Sequence, residues 1–109
     1  MAGVGDRIVY EDGRIRVWEF DLEPGQRTPL HTHVHDYVFY VIEGSTLEVF
    51  DHQDRLLGAF EAPTGAVFPF RVEGERLVPA SGEGPSAPVT HSARNAGATR
   101  YREILIETK

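Results

Sequence analysis

Three of the five histidines fall within five residues, His31-Thr32-His33-Val34-His35, and His91 lies sixty positions beyond His31. Side chains two apart on an extended strand project from one face. The run therefore predicts a strand that presents His31, His33 and His35 together. Imidazole is a ligand for divalent transition metals such as Fe, Zn, Ni, Mn or Co, and an ion held by three neutral rings keeps positions open for water or substrate. That is the arrangement of a reactive ion rather than a purely structural one. The bland alternative is a polar strand surface, or histidines that satisfy one another in a core.

Other chemistries are removed by composition. The chain has no cysteine, which excludes disulfides, thiolate ligands, iron–sulfur clusters and cysteine nucleophiles. Its only lysine is Lys109, at an end expected to fray, so no buried amine is offered for a Schiff base. A formal net charge of −6 opposes capture of nucleic acid or of an anionic membrane surface. No Gly-x-Ser-x-Gly elbow supports a serine nucleophile. With 109 residues, one domain with one core is expected. The first residues lack the basic and apolar regions of a signal peptide, and no apolar run approaches membrane-spanning length, so a cytoplasmic protein is expected.

The elements that must position the histidines read as short strands between turns, with almost no helical signal. Strands are expected over Ile8–Tyr10, Ile15–Leu22, Tyr37–Ile42, Thr46–Phe50, Leu56–Glu61, Ala66–Val72, Val89–Arg94 and Arg100–Glu107. Turn sequences such as Glu23-Pro24-Gly25, Pro63-Thr64-Gly65 and Asn95-Ala96-Gly97 separate them. Residues 73–88 are rich in Gly, Pro, Ser and Glu and read as an excursion, with Arg76-Leu77-Val78 as a short strand inside it. Tyr37 to Ile42 is aromatic or β-branched throughout, so both its faces need cover, from a second sheet or from a partner subunit. The pattern is that of an all-β sandwich or barrel.

Gly25-(five residues)-His31-Thr32-His33-(three residues)-Tyr37-(six residues)-Gly44 resembles the first cupin motif, and His91-(three residues)-Asn95-Ala96-Gly97 resembles the end of the second. The likeness runs from about residue 16 to 107. It implies a cupin-type double-stranded jelly-roll β-barrel, often homodimeric, and it is most similar to small single-domain cupins of the β-alanine degradation (BauB-like) group. The family's metal ligands fall here on His31, His33 and His91. Its ligand glutamate is replaced by Tyr37, which turns a four-ligand site into a three-histidine site. Gly65 resembles the opening glycine of the second motif, but the spacing to His91 is stretched and Pro88 stands where a glycine is expected.

Around that site, His35 is a candidate for ligand or, nearer the barrel mouth, for substrate contact. Tyr37 has three open roles: phenolate ligand, proton donor over an open coordination position, or aromatic wall. Arg71 is preferred over Arg94 and Arg102 as a fork for a substrate carboxylate. Glu19 faces either pocket or solvent, His52 reads as a solvated turn residue, and Asn95 as a turn-fixing side chain. The leading function is a metal-dependent enzyme acting on a small carboxylate or carbonyl metabolite, by dioxygenase or Lewis-acid chemistry. The alternatives are a non-catalytic metabolite-binding or sensing cupin and a metal-free structural cupin.

Overall fold

The computed structural model describes residues 3–109. Eleven strands and no helix occur among them: β1 Arg7–Glu11, β2 Ile15–Leu22, β3 His31–Thr32, β4 Tyr37–Glu43, β5 Ser45–Phe50, β6 Leu56–Ala62, β7 Val67–Glu73, β8 Arg76–Pro79, β9 Ala87–Pro88, β10 Thr90–Asn95 and β11 Tyr101–Thr108. All the strand pairs are antiparallel. They build a seven-stranded sheet in the order β1-β2-β11-β4-β7-β8-β9 and a four-stranded sheet in the order β3-β10-β5-β6. No helix among the described residues is long and apolar enough to cross a membrane.

Alternation sets what the large sheet turns inward. Register aligns Leu22 with Tyr101, Phe20 with Glu103 and Val41, Trp18 with Leu105 and Phe39, and Arg16 with Glu107 and Tyr37. Phe68 and Phe70 extend the last two rows through β7. These rows, with Leu47, Ala62 and Leu77, make the core. Tyr37, Phe39, Phe68 and Phe70 stack with centroids 5.0–6.3 Å apart; such pairs add about 0.5–1.5 kcal/mol each beyond buried area. The outer face is largely apolar too: Val17, Ile106, Val38 and Pro69 form one row, and Ile104, Tyr40 and Val67 lie in the next, with Glu19 at its β2 end. Among the described residues no other element pairs over that face, and Tyr40 and Val67 are exposed.

The two glycines that bracket the first histidine motif have separate physical reasons. Gly25 sits at φ +84°, which L side chains rarely adopt, and a Cβ on Gly44 would lie 2.4 Å from the Ala62 carbonyl oxygen. Residues 73–88 prolong the large sheet instead of looping free, because β8 pairs with both β7 and β9. Arg76 Nη2 also donates to Ser86 Oγ at 2.7 Å across that excursion. Lys109 is pinned where fraying was expected. Its Nζ meets Glu11 Oε2 at 2.5 Å and the Asp12 carbonyl at 2.9 Å.

One inward carboxyl has no business in an apolar row. Glu103 is buried beside Phe20 and Val41, and the Tyr101 hydroxyl donates to its Oε1 at 2.6 Å. Burial pushes it up to about 7 from the usual 4.5, against the Tyr101 hydrogen bond and helped by Asp6. A raised pKa in the fold means its stabilising contribution is full below about pH 4.5 and is lost as pH rises through 7. We expect Glu103→Gln to gain on the wild type by about 3 kcal/mol between pH 4.5 and 8. Chemical denaturation of both proteins across that range checks this, and a difference independent of pH would refute it.

Candidate metal centre

The separation between His31 and His91 is closed by a pairing of only two residues on each strand. β3 lies antiparallel to β10 with His31 opposite His91 and Thr32 opposite Thr90. Residues directly opposite on such a pair share a face, with Cβ atoms about 5 Å apart. The two threonines share the other face, their hydroxyls 2.9 Å apart. β3 ends there, but His33 N still donates to the Val89 carbonyl at 2.9 Å, so the chain keeps its course for one more residue. The three imidazole centroids stand 4.7–5.2 Å apart. One nitrogen from each lies within 4.8 Å of the others. Nitrogens on a common ion at ~2.1 Å sit no more than ~4.2 Å apart, so small ring rotations complete the set.

Backbone carbonyls choose the tautomers. His31 Nδ1 lies 3.0 Å from the Pro29 oxygen and His91 Nδ1 lies 2.8 Å from the Pro88 oxygen. A carbonyl only accepts, so each Nδ1 carries the proton and each Nε2 keeps its lone pair. His33 differs. Its Nδ1 is buried with no hydrogen-bond partner, and its ring stacks on Tyr37 at 4.3 Å and 16°. An orphaned buried nitrogen costs about 1–3 kcal/mol, so packing alone does not account for a histidine at this position.

Burial keeps these rings neutral. It pushes His33 down to about 2, with the neighbouring His91 and His31 adding to the effect. Burial and His31 push His91 down to about 4 against the Pro88 hydrogen bond, and burial lowers His31 against that from Pro29. Neutral imidazole is the ligating form. The donor set therefore fits a borderline divalent transition ion; its identity is not fixed by nitrogen ligands alone.

No protein-family model and no curated protein sequence matches this chain. Solved structures do. A cupin domain from Bordetella pertussis Tohama I superposes with a TM-score of 0.69 at 19% identity, over 94% of this chain and 90% of that one. The barrel is a cupin fold. A sugar phosphate isomerase of the cupin superfamily from Silicibacter pomeroyi gives 0.55 at 20% identity, over 89% of this chain and 52% of that one. The polyketide cyclase RemF from Streptomyces resistomycificus gives 0.53 at 19% identity, over 87% and 54%. Identities this low carry the fold alone, and this chain spans about half the length of the last two.

Within the cupin barrel, the residues singled out from sequence part company. His31, His33 and His91 meet, but the expected strand through His35 does not exist. The chain bends at His35, because Asp36 ties it between two other strands: its Oδ1 accepts from Val72 N at 2.8 Å and its carbonyl accepts from Thr108 N at 2.9 Å. His35 is half-buried there and stands outside the three-nitrogen group. Tyr37 is buried in the aromatic stack, and burial together with the Glu103 charge pushes its phenol up, so it stays a neutral hydroxyl.

Arg71 corrects the expectation of a carboxylate fork. Its neighbours Phe70 and Val72 face the core, so alternation sends Arg71 outward, half exposed, with Nε 3.6 Å from Glu73. Glu19 likewise faces out and accepts from Arg7 Nη2 at 2.7 Å. Arg94 and Arg102 pair with Glu48 and Glu43, and His52 is an exposed turn residue. Asn95 is buried and fixes its turn: Oδ1 accepts from Ser45 Oγ and Gly97 N, while Nδ2 donates to the Leu22 and Thr99 carbonyls. Sequence reasoning missed Arg16 and Glu107, which continue the row of Tyr37 across β11 and β2 on the inner face. Ile104-Leu105-Ile106 is apolar on both parities, so no alternation in β11 announced which face was inside.

The lowered histidine pKa values set a pH window. Below about pH 6.5 the unfolded chain takes up protons that the folded chain refuses. Metal-free protein should therefore lose the histidine contribution as pH falls from 6.5 through 4, while metal affinity, governed by the folded values, holds to well below 6.5. Calorimetric titration with Zn(II) from pH 8 to 5 checks this, and a steep loss of affinity centred at 6.5 would contradict it.

Proposed function

We propose that this protein is a metal-dependent cupin enzyme acting on a small carboxylate or carbonyl metabolite. The observation that carries the reading is the trio itself: three buried or half-buried imidazoles, two with Nε2 freed by backbone carbonyls and the third with an orphaned nitrogen. A divalent ion there supplies Lewis-acid polarisation of a carbonyl or carboxylate oxygen, and redox chemistry where the metal permits it. His31, His33 and His91 hold that ion. Tyr37 holds the His33 ring by stacking, and its neutral hydroxyl can donate a hydrogen bond to a bound oxygen but cannot act as a base near neutral pH. The aromatic stack behind it excludes water. The likeness of the first motif to the β-alanine degradation group makes β-amino and β-keto acids the first compounds to try, and the isomerase and cyclase with this fold widen the search to sugar phosphates and polyketides.

Untagged protein is expected to hold about one metal per chain by elemental analysis, with His91→Ala holding almost none. Metal at a hundred times its Kd should raise the melting temperature by roughly 10 °C. Fewer than about 0.1 ions per chain, with none acquired on incubation, would remove the reading. Turnover by the loaded protein, measured as oxygen uptake or product formed, separates an enzyme from a module that binds the same ligand without reaction.

We further propose a homodimer, in which a second copy covers the outer rows of β2, β11, β4 and β7. The rows are apolar apart from Glu19, which Arg7 pairs from the β1 edge, and Arg102 and Glu43 give the adjoining row charges of both signs. Light scattering should give twice the 12.2 kDa chain mass, and Tyr40→Glu should give the monomer. A monomeric wild type would overturn the proposal.

A further inference from the structure

The large sheet sends a polar row toward the histidines. Register aligns Arg16, Glu107, Tyr37 and Phe70 across β2, β11, β4 and β7 on the inward face. His33 stacks on Tyr37, so Glu107 stands one strand spacing from the side chain that touches the metal centre. Glu107 is 3% exposed. Its Oε1 accepts from Trp18 Nε1 at 2.5 Å and lies 3.7 Å from Arg16 Nη1, while Oε2 has no hydrogen-bond partner among the described residues. Trp18 therefore orients the carboxylate by one oxygen and leaves the other as an acceptor. Arg16, itself engaged by Glu11 at 2.9 Å, balances its charge from the barrel edge.

We propose that Glu107 is a ligand-binding residue that accepts a hydrogen bond from a hydroxyl or amine of the bound molecule, whose carboxylate or carbonyl end is held on the histidine side. The inference rests on the metal reading and deepens it by naming the substrate class: short hydroxy- or amino-carboxylates, in preference to plain ones. An acceptor on a side chain this little exposed discriminates between ligands, because an analogue lacking the donor leaves the carboxylate oxygen unpaired. Glu107→Gln tests this with little change of shape. The amide oxygen keeps Trp18 as partner, and an N–H group replaces the acceptor that met the ligand.

The probes are 3-hydroxypropionate and propionate, titrated into the Co(II)-loaded protein and followed by the visible absorption of the ion. The wild type should bind the hydroxy acid at least tenfold more tightly than propionate, beyond the ratio that aqueous Co(II) shows. In Glu107→Gln that preference should shrink to within about twofold, with Co(II) content and propionate affinity unchanged. Equal affinities in the wild type, or a preference that survives in the variant, would overturn the role of Glu107 while leaving the metal site standing. A wild type that takes up no Co(II) overturns both. Should the variant not fold, the wild-type ratio still decides.

Discussion

Two residues of β3, laid against β10, hold the site together. The pairing of His31 with His91 joins segments sixty residues apart and puts both rings on one face. The backbone on either side is fixed by prolines: Pro29 and Pro88 direct their carbonyls at the Nδ1 atoms of the rings that follow. Proline has no N–H to divert and a restricted φ, so the oxygens are presented at little entropic cost. Position, tautomer and ring rotation thus follow from the same short ladder. His33 lies outside that control and is oriented by its stack on Tyr37 instead.

How much of this was legible in the chain depends on the kind of signal. The strands came through well, since β-branched and aromatic runs between Gly and Pro turns are local information. Ile15–Leu22 coincides with β2, and Tyr37–Ile42 lies within β4. Gly25 and Gly44 were readable as motif punctuation, although their reasons, a left-handed φ and a backbone 2.4 Å away, belong to the fold. The histidine run misled by its regularity. Alternation predicted a third ring on the face, but Asp36 is claimed by β7 and β11, and tertiary hydrogen bonds overrode the strand period.

Inward and outward faces were the harder question. Arg71 looked suited to a carboxylate because of its place near the second motif, yet its parity is set by Phe70 and Val72, which share the inner side of β7, and only a known core can reveal that. Glu107 is the converse case. A carboxylate two residues before Lys109 reads as solvated, and nothing local shows that Trp18 reaches across from β2 to hold it. Residues whose partners lie 89 positions away are invisible to any window of sequence.

The interior carries more polar chemistry than stability alone would select. His33 has a nitrogen without a partner, and Glu103 and Glu107 are carboxyls in a shell of aromatic rings. An apolar residue at any of these positions would remove a desolvation cost. The costs are not scattered: His31, His33, His91, Tyr37, Glu107 and Arg16 cluster around one end of the inner face, and the rest of that face is aromatic or aliphatic apart from Glu103 and its Tyr101 partner. Groups that weaken a fold and converge on one point are better explained by what binds among them than by packing. The opposing pH responses follow from the same burial, since low dielectric favours the neutral form of acid and base alike. Neutrality makes the histidines available as ligands, while Arg16 and the Trp18 N–H both engage Glu107 Oε1 at the edge of the same cluster.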